Sequence, residues 1–147
     1  MKLKTGSSIA QIYGADIKTK VARPFFLCGI SAGFPSPADD YIDRMLDLNE
    51  LLINNPPATF FVRVAGESMV GAGINDGDIL VVDRSLDPQN GKIVVAVVNG
   101  ELTVKRLIKN NGEHKLVAEN PKYPSLEVTD ETQCEIWGTA TSVIRQL

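Results

Sequence analysis

The sequence predicts a mainly β domain with one short helix, preceded by an extended N-terminal arm. Three observations carry that expectation. From Thr59 onward, short aromatic and β-branched runs alternate with glycine, asparagine and aspartate turns. The tightest case is Ile93–Val98, Asn99-Gly100 and Glu101–Leu107, two β-rich runs joined by a pair of residues suited to a type I′ hairpin. Before Asp47, by contrast, periodicity is weak, and Gly33-Phe34-Pro35-Ser36-Pro37-Ala38 favours extended backbone.

In chain order, residues 1–40 are expected to form an accessible arm with at most short strand pieces. Asp47 and Glu50 have capping-box spacing before Leu51-Leu52-Ile53, and Asn54-Asn55-Pro56-Pro57 stops the helix they begin. Thr59-Phe60-Phe61-Val62-Arg63-Val64 is a strand that Gly66 punctuates. Asn75-Asp76-Gly77-Asp78 turns into Ile79-Leu80-Val81-Val82, and Asp87-Pro88-Gln89-Asn90-Gly91 turns into the hairpin. The runs Lys115–Ala118, Leu126–Val128 and Ile136–Ile144 complete the sheet.

Composition narrows the function class. Hydrophobic residues make up 44% and charged residues 22%, as in ordinary water-soluble domains. The longest aliphatic run, Ile93–Val98, is too short to span a bilayer, and no apolar segment follows the first residues as a secretory signal would. Cys28 and Cys134 form neither a disulfide framework nor a zinc site, and read as reduced thiols of a cytoplasmic protein. Net charge is −3, yet residues 1–32 carry five bases against Asp16, so the remainder carries −7. A body that acidic repels phosphate, and no strong direct DNA binding is expected.

Ser68 in Val64-Ala65-Gly66-Glu67-Ser68-Met69 follows a strand at a glycine-marked bend, which can expose a hydroxyl and leave backbone N–H groups free for an oxyanion. Gly71, Ala72 and Gly73 are small enough for another chain to approach closely. The one histidine, His114, sits in a polar turn-rich stretch and reads as a surface loop residue. No cluster has metal-ligand spacing, and no cofactor is implied. The remaining base is Lys105, on the second hairpin strand. Lysine accepts a proton only when neutral, and desolvation can lower its pKa far enough for that. Taken locally, Ser68 also fits a plain turn residue and Lys105 a solvated one.

Together the motifs resemble the UmuD/LexA family of self-cleaving Ser–Lys peptidases, the S24 type. Gly66-Glu67-Ser68-Met69 matches the nucleophile motif, Thr103-Val104-Lys105-Arg106-Leu107 the lysine motif, and Asp76-Gly77-Asp78 the turn between them. Gly33–Tyr41 and Asp47–Leu52 resemble the UmuD side of the family, and the similarity covers about residues 25–147. The resemblance implies the family's peptidase fold of twisted antiparallel sheets over residues 33–147, with arm 1–32 removed by self-cleavage. It implies Ser68 as nucleophile, Lys105 as general base, and the N–H groups of Ser68 and Glu67 as oxyanion donors. The family cuts before glycine, so both Cys28–Gly29 and Ala32–Gly33 qualify. Ala32–Gly33 is preferred, because Gly33 runs directly into Phe-Pro-Ser-Pro-Ala.

Biologically the resemblance implies a homodimer of the bacterial SOS response. Its cleavage would be stimulated by RecA filaments on single-stranded DNA. The trimmed form would join a UmuC-like Y-family polymerase in error-prone translesion synthesis, with replicative polymerase subunits as further partners. Three rivals stand beside this reading. A LexA-like repressor needs a DNA-binding domain, for which the 32 residues ahead of Gly33 are too few. A signal peptidase needs a membrane anchor. A non-enzymatic β-rich interaction module predicts a single stable species at every pH.

Overall fold

The computed structural model describes residues 4–5, 8–15, 18, 22–26, 42–129 and 131–147. By its contacts the chain falls into two compact units, Met1–Ala15 with Asn55–Leu147, and Asp16–Asn54. Lys4–Thr5 and Ile9–Gly14 pair with strands of the larger unit. The boundary expected at 32/33, and both candidate scissile bonds, lie outside the described residues.

The larger unit is one curled sheet. Its strands are β1 (Lys4–Thr5), β2 (Ile9–Gly14), β5 (Thr59–Val64), β6 (Ile79–Asp83), β7 (Ile93–Val98), β8 (Glu101–Asn110), β9 (Glu113–Val117), β10 (Leu126–Val128) and β11 (Cys134–Ile144). They run in the order β10-β9-β8-β7-β11-β6-β5-β2, and β1 pairs in parallel with β8. The N-terminal segment therefore touches both β5 and β8, strands that lie well apart in the order of the sheet. In the smaller unit, β3 (Ala22–Phe26) pairs with β4 (Ile42–Asp47), and α1 (Leu48–Leu52) follows. Asp47 caps α1 by accepting from the Asn49 N–H at 2.9 Å, so the helix stands where its capping residues place it.

The expected hairpin is present. Val98 pairs with Glu101, and Asn99 and Gly100 both have positive φ, 49° and 84°, as a type I′ turn needs. Asn111 and Gly112 repeat it, at 49° and 83°, between β8 and β9. Alternation sends Leu102 and Val104 into one buried cluster with Ile9, Val62, Val64, Met69 and Leu80, while Leu107 joins Val94, Ala96 and Leu116 in a second. The core thus lies on both faces of β8. β11 bulges between Ile136 and Gly138, where a side chain would meet Val82 at 2.7 Å; only glycine fits that crossing.

Candidate active site

The site is built where β8 changes neighbours along one edge. Glu101 and Leu102 pair with β1, while Arg106 to Asn110 pair with β9. Thr103, Val104 and Lys105 fall in the gap. Ser8 fills part of it: its Oγ accepts from the Val104 N–H at 2.9 Å and shares a 3.0 Å hydrogen bond with the Thr103 hydroxyl. The Ser8 carbonyl accepts from the Ala65 N–H at 2.9 Å. One buried residue thus fastens the start of the Ser68 loop to the strand that carries Lys105.

The far end of the loop is fastened too. The Gly71 N–H donates to the Glu119 carbonyl at 2.8 Å, and the Asn120 side-chain amide donates to the Glu67 carbonyl at 2.9 Å. Glu119 lies just beyond β9, the strand beside β8, and its side chain pairs with Arg106. A Cβ at Gly71 would stand 2.6 Å from the Glu119 carbonyl oxygen, so the space at this glycine is taken by the protein's own 119–120 segment. Beneath the loop, the Asp76 carboxylate accepts from the Gly66 N–H at 2.8 Å, with Gly66 at φ 83°. Asp78 grips Asn75 and, through a two-pronged contact at 2.7 and 2.6 Å, Arg145. Arg145 also donates to the Gly73 carbonyl at 2.7 Å, tying the chain's last strand to the loop's end.

Within this frame Ser68 is buried, at 4% exposure, and Met69 behind it is a core residue. The N–H groups of Gly66, Val70, Gly71, Ala72 and Gly73 all have acceptors. Those of Glu67, Ser68 and Met69 have none among the described residues. Two of these three are the donors expected for an oxyanion.

Lys105 is half-buried and lines a groove of about 400 Å³ with Thr103, Leu116, Tyr123, Pro124 and Leu126. Burial lowers its pKa from the usual lysine range. Its Nζ lies 5.9 Å from the centre of the Tyr123 ring, a contact that favours the charged form, but only by about 0.5–1 kcal/mol at an exposed site. Desolvation wins, and the amine leans toward the neutral form that a proton acceptor needs.

His114 is exposed, on β9 rather than in a loop. Ala32, Gly33, Cys28 and Gly29 lie outside the described residues. Sequence reasoning missed Ser8 and Ile9, whose neighbours carry no alternation, and Glu119 and Asn120, which look like ordinary polar turn residues. Arg145 stands 67 positions from the carboxylate it grips, and no local pattern links them.

The chain is 47% identical over 125 residues to Protein ImpA of Salmonella typhimurium, covering 84% of each. It is 47% identical over 119 residues to Protein MucA of Escherichia coli, covering 80% of this chain and 81% of that one. The LexA repressor of Cupriavidus pinatubonensis is 39% identical over 117 residues, 79% of this chain but 53% of the repressor. The peptidase S24-like family matches residues 24–141, and this chain, with its UmuD-type relatives, belongs to that family.

Proposed function

We propose that the chain is a self-cleaving serine peptidase of the SOS response, acting on its own Ala32–Gly33 bond, and that the trimmed form is the accessory subunit of an error-prone polymerase. The observation that supports the chemistry best is the double fastening of the Ser68 loop. Ala65 is held to Thr103 and Val104 through Ser8, and Gly71 is held to Glu119, so serine and lysine segments are locked into one frame.

In the proposed reaction, neutral Lys105 takes the proton from the Ser68 hydroxyl as Oγ attacks the Ala32 carbonyl. The Ser68 and Glu67 N–H groups, with no other acceptor among the described residues, stabilise the oxyanion. Lys105 then returns the proton to the Gly33 nitrogen as the C–N bond breaks. Water, losing a proton to Lys105, releases the acyl group as the Ala32 carboxylate and restores Ser68. Tethering the scissile bond to the body supplies much of the rate, within one chain or across a homodimer. The resemblance adds RecA on single-stranded DNA as stimulus and a UmuC-like polymerase as partner, in the cytoplasm. No helix among the described residues is long and apolar enough to cross a membrane.

The test is intact mass over time at about pH 9–10, with N-terminal sequencing of the product. Gly33 as the new N-terminus supports the assignment, and Gly29 moves the cut. An unchanged mass, or undiminished cutting by Ser68→Ala or Lys105→Ala, sinks the dyad.

A further inference from the structure

The segment that completes the sheet is also one that cleavage at Ala32–Gly33 would detach. β2 lies antiparallel on β5, from Ile9 opposite Val64 to Gly14 opposite Phe60. β5 has β6 on its other side, so among the described residues β2 alone covers its outer edge in the strand order. Only two side chains of this stretch are buried. Ser8, at 1% exposure, satisfies the Ala65 and Val104 N–H groups and the Thr103 hydroxyl. Ile9, also at 1%, sits in the core with Val62, Val64, Met69, Leu102 and Val104. Ala10 to Gly14 face outward and are exposed.

Removing this segment opens three things at once: a row of strand hydrogen-bonding groups along β5, two backbone donors at Ala65 and Val104, and an isoleucine-sized hole beside Met69. An unpaired strand edge is a template for another strand, and a pocket in register with it selects one side chain. We propose that the β5 edge is a strand-binding slot that the chain's own residues 8–14 occupy as a place-holder. Once they are gone, the slot takes an extended segment of a partner protein that presents a small hydroxyl residue followed by a β-branched aliphatic one. This rests on the trimming reading above and adds to it the chemistry by which trimming would create a new partner surface. Of the outward residues Gln11 reaches β5, its Oε1 accepting from Arg63 Nε at 3.0 Å, so a partner segment can differ freely at the others.

The test separates the slot from the dyad. The full-length chain carries Ser68→Ala, and a recognition site for an added sequence-specific protease is inserted between residues 15 and 22. The cut therefore does not depend on self-cleavage. A fluorescent synthetic peptide of residues 4–15 is the probe, read by anisotropy against the uncut chain and against the cut chain freed of its arm by gel filtration. The expected result is saturable binding to the cut chain and at least tenfold weaker binding to the uncut one. Ile9→Asp in the peptide should lose tenfold or more, Ser8→Ala several-fold, and Tyr13→Ala little. If loss of the arm unfolds the body, adding the peptide should restore a cooperative unfolding transition. No binding by a folded cut chain, no rescue of an unfolded one, or equal binding of the Ile9→Asp peptide would falsify the slot. A dimer that forms only after cutting and excludes the peptide would assign the edge to a second copy, and would overturn the proposal equally.

Discussion

Two strands hold the Ser68 loop in place, and they are built on opposite terms. β8 is an interior strand, paired with β7 from Glu101 to Arg106 and with β9 from Arg106 to Asn110, with core on both faces. β2 is an edge strand that buries a single side chain, Ile9. Yet β8 brings Lys105, and the residue that leads into β2, Ser8, joins Ala65 to Val104. On the proposed reading the base comes from the strand with core on both faces, and part of the loop's alignment from the residue ahead of the edge strand. The proposed scissile bond lies between the two in the sequence.

The largest effect should come from the interior strand. Lys105→Ala and Ser68→Ala are each expected to slow self-cutting by roughly 10⁴-fold or more, since members of a nucleophile–base pair act as a unit. Intact mass at pH 9–10 measures it, and a loss of less than tenfold for either variant would take that residue out of the chemistry.

Next comes the edge strand, tested in the uncut chain. Ile9→Ala removes a core side chain from beside Met69 and Val104 and should destabilise by about 2–5 kcal/mol in urea. Tyr13→Ala, four positions on at 41% exposure, should stay within about 0.5 kcal/mol. Similar losses for both would mean that β2 is held by its backbone alone, and the contrast with β8 would lose its point.

The same contrast explains what the sequence disclosed. β5 to β8 and the Asn99-Gly100 turn follow from β-branched runs and glycine punctuation, because a strand buried on both faces must write its burial into nearly every residue. The α1 cap at Asp47 is likewise local chemistry. The Ser68 and Lys105 motifs stand out by resemblance, but their fastening does not. β2 buries one residue of six and writes almost no pattern, so the stretch around it reads as an arm. Ser8, Glu119 and Asn120 act through backbone partners 48 (Gly71 to Glu119) to 96 positions away, and chain-distant hydrogen bonds leave no periodic trace.

A smaller change probes the loop's second fastening. Gly71→Ala places a Cβ 2.6 Å from the Glu119 carbonyl, so the loop or the 119–120 segment must shift. We expect about 1–3 kcal/mol of destabilisation, as for other overpacked sites. Cutting should slow more than stability alone accounts for, because Glu67 and Ser68 lie on the strained side. A normal cutting rate in a destabilised Gly71→Ala chain would show that Ser8 alone aligns the loop.

The smallest effects are in the pH dependence of stability, where the two regions pull in opposite directions. Asp78 is held below the usual carboxylate range by its hydrogen bond from Arg145, against an opposing push from burial and with help from the Asn75 N–H. A lowered acid pKa stabilises the folded state above the unfolded value of about 3.9 and ceases to do so as pH falls through the folded value. The loop's support should therefore weaken only below about pH 4. Lys105 behaves the other way. Its pKa is lowered by burial, so the cost of holding a charged amine there is fully present at neutral pH. That cost is relieved as pH rises through the lowered folded value toward the unfolded value of about 10.4. Lys105→Met should accordingly raise the thermal midpoint at pH 7 by ~1–3 °C and flatten its rise toward pH 10, leaving the acid limb unchanged. Asp78→Asn should flatten the acid limb and leave the alkaline one. In the unsubstituted chain the cutting rate should climb over the same alkaline interval in which stability does, since one deprotonation at Lys105 governs both. A rate that rises with pH while the Lys105→Met and unsubstituted stability curves stay parallel would separate the two, and would place the titrating base elsewhere.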